Sequence, residues 1–192
     1  MSSPSVAQLP VLAELFQRVL DRWRPASVAV LGIAGGNGLE RIDCSVTKKI
    51  VGVDINQHYL ETVGGRFGKL PGLELHYRDL TTRDLGLAPV MLVHAALIFE
   101  HVGLGVPLNN AQALVEPGGK LSVVLQLPSA EEQEVATTSY TSMQTLKHDF
   151  ALIDPIAFQQ QMAMNGFRLV DQERRHLPAG KAFWLGVFAK DP

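Results

Sequence analysis

Val28-Ala29-Val30-Leu31-Gly32-Ile33-Ala34-Gly35-Gly36-Asn37-Gly38-Leu39-Glu40, followed by Gly52-Val53-Asp54-Ile55-Asn56, is the stretch on which the fold turns. Ser27 to Leu31 is a run of apolar and β-branched residues, the pattern of a buried strand. The glycine-rich segment Gly32 to Gly38 predicts a turn, and a helix is expected from about Leu39. Lys49 to Val53 reads as a second buried strand, ending at Asp54. Glycines at a strand-to-helix turn let the backbone approach a ligand closely and aim the free N–H groups of the helix at it. A carboxylate at the tip of the next strand can accept hydrogen bonds from both hydroxyls of a ribose. An adenosine-containing cofactor is implied. Because Asp54 sits at a strand tip, its removal is expected to cost binding and to leave folding nearly intact.

Outward from this stretch, apolar spacing predicts a helix over Val6 to Trp23, stopped by Pro25. A helix is expected over Gln57 to Phe67, with Tyr59, Leu60, Val63 and Phe67 on its apolar side. Strands are expected at Leu73 to Tyr77, Val90 to Ala96 and Lys120 to Leu127. A helix over Val102 to Val115 should be closed by Pro117-Gly118-Gly119. Strands that alternate with helices and read as continuous apolar runs form a parallel sheet covered on both faces. The tail differs. A helix over Pro155 to Met164 precedes strands at Gly166 to His176 and Lys181 to Lys190, joined by the turn Leu177-Pro178-Ala179-Gly180. Strands joined so closely must be antiparallel. The expectation is an α/β sandwich of three layers, its sheet of seven strands mostly parallel, ending in an antiparallel hairpin.

Length and composition limit the function classes. A chain of 192 residues fits one domain, residues 1–192. Within it, 1–25 form the N-terminal helix, 26–127 the cofactor-binding core, and 128–192 a substrate-side segment with the hairpin. With 17 basic and 19 acidic residues the net charge is −2, which argues against a nucleic-acid partner. Arg174-Arg175-His176 is the one dense basic cluster and reads as a solvated strand or turn. Cys44 is the only cysteine, so no intrachain disulfide can form and a reducing compartment is expected. Met1 to Ser5 show no basic start followed by an apolar run, so no secretory signal is expected, and the longest apolar stretch, Pro89 to Phe99, is too short for a bilayer. A cytoplasmic location and no membrane partner are expected.

Which adenosine cofactor is a matter of spacing. The dinucleotide fingerprint needs a glycine three residues after Gly38, and Arg41 stands there. Gly32, Gly36 and Gly38 match the spaced glycines of short-chain dehydrogenases. Their Tyr and Lys four apart are missing: Tyr59 is followed by Val63, and Tyr140 by Gln144. No Gly-Lys-Ser/Thr of a P-loop occurs.

In order along the chain stand VAVLGIAGGNGLE (Val28 to Glu40), GVDIN (Gly52 to Asn56), RDL (Arg78 to Leu80), LIFEHVG (Leu97 to Gly103) and LVEPGGKLSVV (Leu114 to Val124). This set resembles the class I S-adenosylmethionine-dependent methyltransferases, whose Rossmann-like sheet also ends in a hairpin. The resemblance implies S-adenosyl-L-methionine as cofactor. It places Gly32, Ile33, Ala34, Gly35, Gly36 and Gly38 at the cofactor, with Asp54 and Ile55 at the ribose and Asp79 and Leu80 at the adenine. Ala96 and Leu97 follow at the fourth strand. Two positions depart from the pattern. The acidic residue expected in the first motif is Gly32, and its first glycine is Ala34. Glu40 is a candidate substitute. The departure leaves a second reading open, a domain that binds the cofactor or its product without catalysis and serves a regulatory or partner-binding role.

Methyl transfer from a sulfonium is an in-line displacement, so the protein supplies mainly proximity and orientation, with a base where the acceptor must lose a proton. His101 is the candidate base. Metal binding by Glu100 and His101 is not expected, since adjacent residues need distant partners. His94, inside a strand, reads as a hydrogen-bonded core histidine. Ser139, Tyr140, Met143 and His148 in the polar stretch Pro128 to Asp154 are candidate contacts to a small-molecule substrate. The sequence identifies neither the acceptor nor the oligomeric state.

Overall fold

In the computed structural model, which describes residues 4–128, 151–177 and 181–191, every strand expected from apolar patterning forms. Helix α1 spans Pro4–Trp23 and is followed by β1, Ser27–Leu31, and β2, Lys49–Asp54. Then come α2 (Gln57–Phe67), β3 (Leu73–Tyr77) and β4 (Val90–Ala96). Two helices, α3 (Phe99–Val102) and α4 (Gly105–Ala113), lead to β5, Val115–Leu127. The chain closes with α5 (Pro155–Met164), β6 (Phe167–His176) and β7 (Ala182–Lys190). They form one seven-stranded sheet in the order β3-β2-β1-β4-β5-β7-β6. The first five strands are parallel, and β7 lies antiparallel between β5 and β6. The sheet order reverses between β1 and β4, where α/β proteins open a crevice at the strands' carboxyl ends.

Side chains alternate across the sheet, as the pleat requires. Ala29 and Leu31 pack toward α4 and α5, with Leu108, Phe158 and Met162. Val28 and Val30 pack toward α1 and α2, with Leu15, Phe16, Val19 and Val63. Asn56 caps α2 by accepting the N–H of His58 at 3.0 Å. Asp154 caps α5, and Pro155 fits its first turn because that position needs no N–H donor. Among the described residues, no helix is long and apolar enough to cross a membrane.

The structure corrects four expectations. No α-helix follows the glycine turn. A single 3-10 turn, Leu39–Arg41, stands there instead. Asp43 folds the next residues into a turn, its carboxylate accepting the N–H of Ser45 at 2.8 Å and its carbonyl those of Val46 and Thr47. Such side-chain bonds compete with helix formation. Helix α1 covers this face, with Phe16 against Gly38. The helix expected over Val102 to Val115 is divided at Gly103, whose φ of +77° ends α3. Pro117-Gly118-Gly119 lies inside β5, as an irregularity opposite Met91, where a Cβ on Gly119 would meet the Met91 carbonyl at 2.9 Å. Tyr59 is exposed, whereas Leu60 and Val63 are buried. Leu60 and Val63, three apart, point at the sheet, and Tyr59, about 100° round the helix from Leu60, lies at the solvent edge of that stripe. The 178–180 part of the hairpin turn lies outside the described residues.

Candidate functional site

The carboxyl ends of β1, β2 and β4 meet at a narrow crevice lined by Gly32, Asp54, Ile55, Asp79 and Leu80, with Ile98 and Val102 as its far wall. Its geometry starts from the backbone. The N–H groups of Gly32 and Ile33 both reach the Val53 carbonyl, at 2.9 and 3.0 Å, so β1 stays tied to β2 past its end. Gly32 then turns through φ +67° and Ala34 through +45°. The second value is costly for a residue with a Cβ.

Asp54 holds that turn. Its Oδ2 accepts the N–H of Ala34 at 2.9 Å, and its Oδ1 accepts the N–H of Asn56 at 2.8 Å. The expectation that Asp54 matters little to folding is therefore corrected. The residue is buried and ties two loops together. Each carboxylate oxygen keeps acceptor capacity beyond one bond, so ribose hydroxyls could still be received.

The glycines do more packing than the sequence suggests. A Cβ on Gly32 would meet Ile98 Cδ1 at 2.8 Å; on Gly36, Phe67 Cε2 at 2.9 Å; on Gly38, Phe16 Cδ1 at 3.0 Å. Gly35 is held by its carbonyl, which accepts from Arg66 of α2. Ile33 is buried core, its tip under Gly52. Glu40, the candidate substitute for the missing acid, is engaged within the turn itself. It accepts the N–H of Gly38 at 3.1 Å and lies 3.5 Å from Arg41.

Ile55 is 56% exposed beside the buried Asp54 carboxylate. Asp79 Oδ1 accepts the N–H and hydroxyl of Thr81, at 2.8 and 2.7 Å. The Thr81 N–H first, and its hydroxyl second, hold the Asp79 carboxyl below the usual carboxylate range. Buried Asn110 of α4 fixes this loop by donating to the carbonyls of Leu80 (2.9 Å) and Thr82 (2.7 Å). The residues sequence reading did not assign to the site are Val53, Arg78, Ile98 and Val102, which line the crevice. Arg78 donates to the Leu85 carbonyl at 3.0 Å. All four lie within or beside the quoted motifs, so their nearness along the chain was the available signal.

Ala96 and Leu97 stand at the end of β4, and Leu97 takes φ +56° while its N–H reaches Val124 at 2.9 Å. Neither is among the residues lining the crevice. His101 is exposed on α3, one residue before Val102. Its neighbour Glu100 is buried. Glu100 Oε1 accepts the N–H of Gln126 at 2.8 Å, whereas Oε2 has no hydrogen-bond partner among the described residues. Burial raises the Glu100 carboxyl above its ordinary value. His94 is the core histidine expected. It stacks on Phe16 with ring centroids 4.3 Å apart, and its Nδ1 lies 3.1 Å from Ser122 Oγ. Burial pulls it down to about 4. Ser139, Tyr140, Met143 and His148 lie outside the described residues.

The residues present fit the adenosine part of S-adenosylmethionine. The buried acceptor Asp54, able to receive hydroxyls, stands beside Ile55, an uncovered apolar side chain suited to a purine face. The fit is tight. The enclosed space is about 60 Å³, below the roughly 300 Å³ of ordinary small-molecule sites. On one side of this space the Ile98 side chain packs over Gly32.

By sequence, no family model and no curated protein matches this chain. Solved structures do match by shape. Magnesium protoporphyrin IX methyltransferase from Synechocystis PCC 6803, with bound S-adenosylhomocysteine, superposes with a TM-score of 0.74 at 10% identity, over 97% of this chain and 84% of that one. The N-methyltransferase NodS from Bradyrhizobium japonicum WM9, in complex with S-adenosylhomocysteine, gives 0.69 at 13% identity, over 93% and 85%. Geranyl diphosphate methyltransferase in complex with S-adenosylmethionine gives 0.70 at 11%, over 94% and 84%. At such identities the likeness establishes the fold alone.

Proposed function

We propose that this chain, whose fold is that of the class I S-adenosylmethionine-dependent methyltransferases, binds S-adenosyl-L-methionine at the crevice and transfers its methyl group to a small molecule. The observation that carries this reading is the pairing of buried Asp54 with exposed Ile55 at the switch in strand order. In this reading Asp54 receives the ribose hydroxyls and Ile55 packs on the base. Asp79, fixed by Thr81, offers its second carboxylate oxygen to the adenine amino group, and Leu80 closes the pocket below. The main chain of Gly32 to Gly38 faces the amino-acid end, and Ala96 and Leu97 border the methyl group. The bound cofactor supplies a methyl already activated on sulfur, so the chain's work is to hold and orient the reactants. His101 takes the acceptor's proton where one must leave. Residues 26–127 hold the cofactor and 128–192 face the acceptor, within one domain. The near-neutral charge supports a small-molecule acceptor over nucleic acid, and the lone Cys44 suits a cytoplasmic setting.

A specific observation favours a second reading, cofactor binding without catalysis. Gly32 replaces the acid of the first motif, and the side chain of Ile98 packs over it. One experiment separates the two. The protein is incubated with S-adenosylmethionine and a panel of small hydroxyl, amine and carboxylate acceptors, and S-adenosylhomocysteine is measured by mass spectrometry. Acceptor-dependent product supports transfer. Tight S-adenosylhomocysteine binding without turnover on any acceptor favours the second reading.

A further inference from the structure

We propose that a second hollow, at the carboxyl end of β5 and the adjoining ends of β6 and β7, is the acceptor subsite and takes a small molecule bearing a carboxylate on a flat apolar body. The assignment of this hollow to an acceptor rests on the methyl-transfer reading. Its preference for a carboxylate rests on the following geometry.

The hollow encloses about 630 Å³, ample for a small molecule. Its floor is Trp184. The indole lies flat over Gly186, where a Cβ would come within 2.2 Å of the ring, so only glycine permits that pose. The ring is pinned by its Nε1, which donates to Gln172 Oε1 at 3.1 Å. Because Gln172 uses its oxygen there, its amide nitrogen remains as a donor. Ile156, 66% exposed, and Leu127 give apolar walls.

Strand β6 separates two electrostatic worlds. On its α1 side, Asp171 and Glu173 bind Arg18 at 2.9 and 3.0 Å, and Arg175 binds Glu173 at 2.6 Å and Glu14 at 3.2 Å. On the opposite side Arg174 lines the hollow with no ion pair or hydrogen bond among the described residues. The hollow's acid, Asp154, is committed to the α5 cap, where it accepts from Ile156 and Ala157. An unpaired planar guanidinium beside an outward amide donor, above an aromatic floor, matches an aromatic or similarly flat carboxylate.

The hollow also adjoins the crevice through one helical turn. Ile98 and Val102 wall the crevice. Between them, Glu100 accepts the N–H of Gln126 through its side chain and that of Ala151 through its carbonyl, each at 2.8 Å. Leu127 and Leu152, the next residues along, line the hollow. His101 is carried on this same partition.

The test uses the full chain with 2-naphthoate and its neutral counterpart 2-naphthamide as probes, binding being read by equilibrium dialysis. S-adenosylhomocysteine binding is measured on the same samples. The acid should bind about ten-fold more tightly than the amide, and Arg174→Gln should abolish that preference while leaving S-adenosylhomocysteine affinity unchanged. Arg174→Lys, which keeps the charge and loses the fork, should fall between. Equal binding of acid and amide, no binding of either, or a preference that survives Arg174→Gln would overturn the proposal. If the wild type prefers the acid yet fails to bind S-adenosylhomocysteine, the methyl-transfer reading falls and the carboxylate site stands.

Discussion

The crevice at β1, β2 and β4 and the hollow at β5, β7 and β6 open at the same end of one sheet but are built in opposite ways. In the crevice almost every polar group is already tied to protein. Asp54 receives two backbone N–H groups, Asp79 is held by Thr81, and Gly35 by Arg66. In the hollow, Arg174 has no partner among the described residues. A site whose polar groups also hold the backbone couples binding to stability. A site whose cation stands apart can change its ligand preference at little cost to the fold.

The largest effect that would break this contrast is at Asp54. Asp54→Ala removes two hydrogen bonds to a charged acceptor, each worth roughly 1.5–3 kcal/mol. The variant should lose about 3–6 kcal/mol of stability in urea denaturation and at least about ten-fold in S-adenosylhomocysteine affinity by calorimetry. Loss of affinity with unchanged stability would mean that the carboxylate does not hold the turn.

A smaller effect comes from His94, whose ring partner Phe16 also abuts Gly38 in the glycine turn. Burial holds His94 at about 4, against an ordinary 6.5. Between those values the unfolded chain binds the proton and the folded chain does not, so stability falls as pH drops below about 6.5. From pH 7 to pH 5 the loss attributable to His94 should be about 2 kcal/mol. Glu100 acts in the opposite sense. Its raised carboxyl contributes stability below its unfolded value of 4.5, and this is lost as pH rises through the folded value. Urea midpoints of wild type and His94→Leu at both pH values isolate the histidine, and the variant should lack that part of the acid sensitivity.

Smaller again is Ile98→Ala. Opening the wall over Gly32 should raise S-adenosylhomocysteine affinity about five-fold, on the order of 1 kcal/mol, because less packing must be displaced. A weaker affinity would show that Ile98 is a contact and not an obstruction. The smallest effect is expected at the hollow. Arg174→Ala should change the melting stability by less than about 0.5 kcal/mol, as substitution of an exposed residue with no partner among the described residues does. A larger loss would mean that Arg174 is part of the scaffold.

The two regions also differ in how far the sequence discloses them. The crevice is assembled from strand ends, and each is marked locally: glycines after Leu31, an acid after Val53, Arg78-Asp79 after Tyr77. Apolar runs bounded by such turns reveal β1 to β4 without any tertiary information. The helix expected after Gly38 was not legible, because Asp43 and Thr47 turn the chain through bonds to Ser45 and Pro25 that periodicity does not weigh. Nor was the second duty of Asp54, since a carboxylate at a strand tip looks the same whether it receives hydroxyls or N–H groups. The hollow was invisible for a different reason. Arg174 read as part of a solvated basic cluster, and only the pairing of β6 with β7 sets it beside Trp184. That pairing places residues on a common face by register, which a single chain's pattern does not announce.

The central claim, that the crevice binds an S-adenosyl cofactor, is tested most directly by thermal melts of the wild-type chain with S-adenosylhomocysteine and, separately, with NAD and NADP. At a concentration about 100 times its dissociation constant, S-adenosylhomocysteine should add roughly 2.7 kcal/mol of stability and raise the melting temperature clearly, with no shift from either dinucleotide. A shift with NAD or NADP and none with S-adenosylhomocysteine would contradict the account.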